Sequence, residues 1–402
     1  MKHTPHALQT IAILAVTQIL SWGSLYYAIA ILAPEIQKEM GWRAELVFGA
    51  FSWSLLVAGT IATYSGMLLD RHGGRLVMGM GSATCGLGLI LLSSAHTLPI
   101  YFLAWSILGL AMAMTLYEAA FATITHHFTI HSRQAISTLT LFGGFASTVF
   151  WPLTQKLNSL MGWRDTYLAY GIAQLLVCLP LHLLLQAKKT APPAETAAAK
   201  TAQNTAPNTN RSHSLQEALR NPTFWKLAFA FSANSFVFSA MSVHLIPLLG
   251  QIGHPVTLAV FMAALIGPMQ VVGRIGEMTL ARNAMPQTVG KFTFAALPAA
   301  LLALILFGSH AWAIALFCIL YGLSNGILTI VRGTIPQALF GTENYGAISG
   351  AMSGPALFSK AAGPLLIASL IQHASSPDVI FTCLLVFSLA SLAFYLSALK
   401  TR

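Results

Sequence analysis

Four ionisable side chains, Glu118, Arg274, Arg332 and Lys360, interrupt long apolar runs of this 402-residue chain. A charge among apolar neighbours is expensive to bury, so it marks a polar pathway or an ion pair. Arg274 and Lys360 are both cationic but offer different chemistry. A guanidinium presents a planar fork that meets a carboxylate with two parallel hydrogen bonds, whereas an ammonium acts as a point charge. The two together suit an anionic ligand. Gln270 stands one helical turn before Arg274, and Trp22 and Tyr26, four residues apart in an earlier run, share a helix face that can stack on or shape a ligand. Structural alternatives stand beside each of these. Arg274 can pair with Glu277, one turn on, Lys360 can meet an acidic partner or a lipid headgroup, and Trp22 and Tyr26 can be ordinary aromatic packing.

Other chemistries find no footing. The four cysteines, Cys85, Cys178, Cys318 and Cys383, lie inside apolar runs without CxxC spacing, which predicts buried inert thiols and neither a disulfide framework nor a metal site. His126, His127 and His131 sit beside Arg133 and read as a solvated basic loop. No nucleophile and base pair is visible, and no Gly-x-x-x-x-Gly-Lys phosphate loop. We therefore expect no enzyme, no cofactor and no metal. The net charge of +10 comes from basic residues scattered singly at the ends of apolar runs, a pattern that does not predict nucleic-acid binding.

The elements that must position these residues are membrane spans. Hydrophobic residues make up 56% of the chain, charged residues only 8%, and the mean hydropathy is +0.70; a soluble domain is about one-quarter charged. A bilayer-crossing helix needs about 20 mostly apolar residues. Twelve such runs are predicted, at 8–33, 45–69, 76–95, 98–124, 135–157 and 165–186, then 223–248, 256–281, 290–308, 311–338, 346–372 and 378–399. Between the sixth and seventh lies a polar stretch rich in Lys, Pro, Ala, Asn and Thr that cannot bury enough surface to order itself, with a short surface helix expected in its tail at 214–220. The predicted organisation is an N-terminal six-helix bundle over 1–186, a linker over 187–221 and a C-terminal six-helix bundle over 222–402. With both termini inside, Lys2, Arg71, Arg75, Arg133, the linker cluster, Arg282, Lys291, Lys400 and Arg402 fall on one side, against Lys38, Arg43, Lys156 and Arg164 on the other. That bias places linker and termini in the cytoplasm. Residues 1–9 are short and polar and lead straight into the first span, so no cleavable signal is expected.

The two halves resemble each other at an offset near 211 residues: Pro34 matches Pro247, Arg71 matches Arg282 and Gly109 matches Gly322. A whole six-helix unit repeated in this way predicts a site near the bilayer midplane between the halves. Glu118 and Arg332 then occupy nearly equivalent positions towards the cytoplasmic ends of the fourth and tenth spans. Opposite charges placed so can close an inner gate, with Glu118 also able to carry a proton, or can form a permanent pair that holds the halves in register. In the seventh span Ser232, Ser235, Ser239 and Ser242 share one helix face, for cavity lining or close packing.

Between the second and third spans the chain reads Gly66-Met67-Leu68-Leu69-Asp70-Arg71-His72-Gly73-Gly74-Arg75. This resembles the Gly-x-x-x-Asp-Arg-x-Gly-x-Arg loop of the major facilitator superfamily, at the same cytoplasmic turn, and a degenerate copy with Gly273, Gly276 and Arg282 follows the eighth span. In the loop, Gly66 and Gly73 allow close contact and a tight turn, Arg71 and Arg75 carry its charge, and Asp70 can pair with an arginine or cap a helix N-terminus. The resemblance implies an all-α membrane protein of twelve transmembrane helices in two pseudo-symmetric six-helix bundles, acting as a secondary transporter. More narrowly, Arg274 and Lys360 look like the span-eight arginine and span-eleven lysine of the oxalate/formate exchanger and monocarboxylate branch. The implied function is movement of a small organic anion, a mono- or dicarboxylate, across the inner membrane, driven by a proton or by exchange. One departure matters: animal-type monocarboxylate carriers place an aspartate where this chain has Gln270, so proton coupling through that position is not implied. The implied partners are a small anionic substrate and the lipid bilayer, the expected state is a monomer, and the alternative function is an efflux permease for drugs or other toxic compounds.

Overall fold

In the computed structural model the described residues are 5–128, 131–186, 212–373 and 376–400. Most of the expected linker, 187–211, lies outside them. Their fold is helical throughout, because hydrocarbon offers backbone N–H and C=O groups no partner and an α-helix satisfies them within one segment. The first span consists of α1 (Pro5–Trp22), a π-turn (Gly23–Tyr27) and α2 (Ala28–Met40). The second and third are α3 (Ala44–His72) and α4 (Gly74–Ser93). The fourth joins α5 (Leu98–Thr115) to α6 (Tyr117–His127), and the fifth joins α7 (Ser132–Gly143) to the start of α8 (Ala146–Ala173). The sixth takes the rest of α8, a second π-turn (Gln174–Cys178) and α9 (Leu179–Leu183).

The short helix expected at the tail of the linker is present as α10 (Leu215–Arg220). It starts with a capping box: the Ser214 hydroxyl accepts the Glu217 N–H, and the Glu217 carboxylate accepts the Ser214 N–H. Then follow α11 (Pro222–Gln251), α12 (Val256–Ala263) with α13 (Ile266–Thr279), α14 (Pro286–Phe307), α15 (Ala311–Phe340), α16 (Tyr345–His373) and α17 (Pro377–Lys400).

Among the described residues, eleven helical stretches are long and apolar enough to cross a membrane. One of them, Ser132–Leu183, runs for 52 residues, more than twice the ~20 a bilayer requires, and it breaks at Gly162 (φ 79°, ψ 174°) into two passes. The passes among the described residues therefore number twelve. The glycines matched by the internal repeat do the same work in each half. A side chain at Gly109 of α5 would collide with Ser54 and Val57 of α3, and one at Gly322 of α15 would collide with Ile266 and Met269 of α13. The fourth span thus meets the second as the tenth meets the eighth.

The halves touch along α3 and α16, where Gly66, Ala62 and Gly59 face Gly346, Gly350 and Gly354 backbone to backbone. Small residues are what let two helices come this close. Further contacts join α7 to α13 and α15, and α6 to α16. Polar links between the halves gather at the end of the molecule where α1 begins and α10 lies. Ser132 donates to Gln337 at 2.8 Å, Ser137 donates to Glu277 at 2.7 Å, and Arg133 forms an ion pair with Glu277 at 2.6 Å. The structure is closed at this linker end.

Candidate functional site

Among the described residues, five spans lose regular α-helical form near their middles: the first and the sixth at their π-turns, the fourth at Leu116, the fifth at Gly144 and Phe145, and the eighth at Ala264 and Leu265. Irregular backbone at membrane depth survives where it lines a cavity or is covered by protein, and π-turns gather at functional positions. The sequence residues of interest collect beside these breaks.

The π-turn follows Trp22 and contains Tyr26 and Tyr27, which form an aromatic cluster. Trp22 meets Tyr26 edge-on at 5.3 Å and Tyr117 at 5.0 Å, while Tyr26 meets Tyr27 at 5.5 Å and Phe51 at 5.2 Å between ring centroids. Lys360 of α16 reaches into this cluster from the other half. Its Nζ lies 4.2 Å from the Tyr26 centroid and 5.7 Å from that of Trp22, both within the ~6 Å over which a ring face attracts a cation. No carboxylate pairs with it among the described residues. Ser239 of α11 donates to the Lys360 carbonyl at 2.5 Å, so that serine fastens α11 to α16.

Arg274 approaches the same cluster from the eighth span. Side chains on a helix lean towards its N-terminus, and α13 runs from the middle of the span to the linker end, so Arg274 points back towards the middle. It lies within electrostatic reach of Tyr27 and Tyr117. Its guanidinium rests against Gly144, where a Cβ would strike Nη1. Arg274 is only 5% exposed, and neither Nε nor Nη1 has a hydrogen-bond partner among the described residues. Glu277, the nearby carboxylate, does not serve it: Glu277 accepts from Arg133 Nε at 2.8 Å and Nη2 at 2.6 Å, and from Ser137. Arg133 also donates to the carbonyls of Ala281 and Ala284. Gln270, one turn before Arg274, is half-buried with its backbone packed on Gly326, and its side chain makes no hydrogen bond among the described residues.

Glu118 and Arg332 do face each other across the halves, but loosely, at 3.9 Å between Oε1 and Nη1. Glu118 lies in the first turn of α6, just past the break at Leu116. Arg332 donates through Nη2 to Ser235 at 3.0 Å, so the serine face of α11 serves this arginine as well as helix packing. In the signature loop Asp70 caps α16, accepting the N–H groups of Gly346 at 2.8 Å and Ala347 at 2.7 Å. Gly66 meets the Gly346 backbone and Gly73 turns the chain at φ 79°. Arg71 and Arg75 are exposed and form no ion pair among the described residues.

Two groups escaped the sequence reading. His126 does not belong to a solvated loop: its Nε2 lies 2.9 Å from Asp70 Oδ1, and both side chains are largely buried. Arg133, counted among the charges that set topology, is half of the tightest ion pair between the halves. The signal available for both was position alone, since each lies at the same linker end as the loop it supports.

Comparison with known proteins places this arrangement. A family model described as the Major Facilitator Superfamily matches residues 12–364. Monocarboxylate transporter 4 of Rattus norvegicus is 24% identical over 336 residues, covering 80% of this chain and 68% of that protein. An uncharacterized 38 kDa protein in the 23S RNA operon of Thermoproteus tenax is 31% identical over 168 residues, 42% of this chain and 44% of that protein. Monocarboxylate transporter 1 of Rattus norvegicus is 28% identical over 159 residues, 39% of this chain and 30% of that protein. The chain thus spans less than half the length of these last two relatives. The solved structure of the human organic anion transporter MFSD10 (TETRAN) superimposes with a TM-score of 0.74 at 15% identity, over 98% of this chain and 100% of that one. Twelve helices in two similar sixes, a loop that ties one half to the other, and a family match over most of its length lead to one assignment: the chain belongs to the Major Facilitator Superfamily.

Proposed function

We propose that this transporter carries a small organic anion, a mono- or dicarboxylate, by alternating access across the cell inner membrane, with both termini and the linker in the cytoplasm. Arg274 supplies the fork for one carboxylate. Lys360, held on the Tyr26 ring, supplies a point charge for a second carboxylate or for the far side of a single one. Trp22, Tyr26 and Gln270 shape the space between them. Glu118, beside Arg332, carries a coupling proton or, in an exchanger, only gates the inner end.

The observation that supports this reading is the state of Arg274. It is a buried cation whose neighbouring carboxylate is already taken, and such a charge needs an anion or water to satisfy it. The relatives named for monocarboxylate transport and the organic-anion fold neighbour agree in substrate class. The closed linker end then corresponds to a carrier sealed from the cytoplasm.

The test is binding of short mono- and dicarboxylates to purified protein. Arg274→Lys keeps the charge and loses the fork, so affinity for every carboxylate is expected to fall by about tenfold or more, a loss of ~1.4 kcal/mol for each factor of ten. Lys360→Ala is expected to weaken dicarboxylates more than monocarboxylates. Should both variants keep full affinity for all anions, the organic-anion reading fails and an efflux permease takes its place.

A further inference from the structure

Beside the ion pair of Arg133 with Glu277, the surface opens into a groove of about 830 Å³. Pockets of about 300–1,000 Å³ hold sizeable organic ligands. None of its lining residues belongs to the aromatic cluster, and several of them are exposed. α7 forms its floor between α1 on one side and the end of α13 on the other, with Phe128, His131 and Arg282 from the adjoining turns. Leu8 is 60% exposed and Val16 and Phe142 are each 45% exposed along it, so its walls present apolar side chains to their surroundings.

The groove is polarised from end to end. The α1 wall runs from Leu8 to Ile19, about 16 Å at ~1.5 Å per residue, which matches the ~15 Å depth of one leaflet in a ~30 Å hydrocarbon core. Its linker end carries Arg282 and His131, both exposed. Arg282 forms no ion pair among the described residues, whereas Arg133 at the floor is neutralised by Glu277. The mouth therefore has net positive charge and the body has none.

We infer that this groove binds an anionic phospholipid from the leaflet on the linker side, with its phosphate at Arg282 and His131 and an acyl chain along Leu8, Val16 and Ile19. A soluble anion would leave the apolar wall uncovered, and a zwitterionic lipid would bring its own cation to the basic mouth. Basic pockets between spans on the cytoplasmic side recognise anionic headgroups in this way. Because α1 and α7 belong to one half and α13 to the other, the lipid bridges the halves. It favours the state in which Arg133 and Glu277 meet.

The experiment titrates the purified full chain in detergent with fluorescent phosphatidylglycerol and, in parallel, with phosphatidylcholine of the same acyl chains. Phosphatidylglycerol is expected to bind more tightly, and inorganic phosphate is expected not to displace it. Arg282→Gln should weaken the anionic lipid by about fivefold, the share of one basic residue at an anionic headgroup, and leave phosphatidylcholine unchanged. Ala12→Trp, at an exposed position on the α1 wall, should weaken both lipids. Lys291→Gln, an exposed cation at the same end outside the groove, should weaken neither. Equal affinity for the two lipids, equal losses in the Arg282 and Lys291 variants, or an unaffected Ala12→Trp protein would each overturn the assignment.

Discussion

Asp70 and Gly346 stand 276 residues apart in sequence, yet the Asp70 carboxylate accepts the Gly346 N–H at 2.8 Å. Its second oxygen takes the next N–H of the same helix, that of Ala347, so one side chain of the first half caps a helix of the second. The negative charge also faces the positive end of the α16 dipole. Asp70→Ala removes cap and charge together and is expected to destabilise the closed linker end by about 1–2 kcal/mol. The check is the labelling rate of a cysteine introduced at Ser349, which is buried in the closed form, with the half-buried Cys383 replaced. An unchanged rate would show that the cap does not hold this end shut.

The pair of Arg133 with Glu277 should matter more. Either partner alone becomes a largely buried charge without its counter-ion, at a cost of about 3 kcal/mol to the closed form. Arg133→Gln and Glu277→Gln should each speed labelling at the same reporter position. The double variant should speed it by much less than the product of the two, because the second substitution removes the charge the first left stranded.

Gly144→Ala places a methyl group where Arg274 Nη1 now rests. The guanidinium must then move. Crowding of this kind costs about 1–3 kcal/mol, so carboxylate affinity should fall by about tenfold or more while the protein stays folded by thermal melt. Retained affinity would mean that Arg274 binds substrate from another position or not at all.

Glu118→Gln keeps the shape of the side chain and removes its proton chemistry. In a proton-coupled carrier the variant should still exchange substrate, but its transport should lose its dependence on pH. A pH profile identical to that of the parent would leave Glu118 a gating role only. Arg332 would remain tied to Ser235 in either case.

The twelve passes were legible because a bilayer imposes a length and a polarity that hydropathy registers directly. The bend at Gly162 falls between the runs at 135–157 and 165–186, which hydropathy had already separated. The sequence also singled out Trp22, Tyr26, Arg274 and Lys360, each through a local oddity. Their convergence on one aromatic cluster is a tertiary fact. Glu277 shows what spacing alone leaves open: three residues from Arg274, it stood as one possible partner of that arginine, and the crossing of α7 with α13 brings Arg133 and Ser137 to it instead. The breaks at Leu116 and Gly144 were equally hidden, since backbone angles leave no mark on hydropathy.

The contact between α3 and α16 has a mechanical meaning. Gly59, Ala62 and Gly66 lie against Gly354, Gly350 and Gly346 with few side chains between them, chiefly the Phe358 ring at Gly59 and the Asp70 carboxylate at Gly346, so the surfaces interlock far less than gear teeth. Helices joined by meshed side chains must change rotamers before they can part, whereas two smooth backbones can roll or peel apart with every rotamer kept. The same closeness that seals the linker end therefore makes it a low-friction bearing, latched by a few polar contacts that can open one after another.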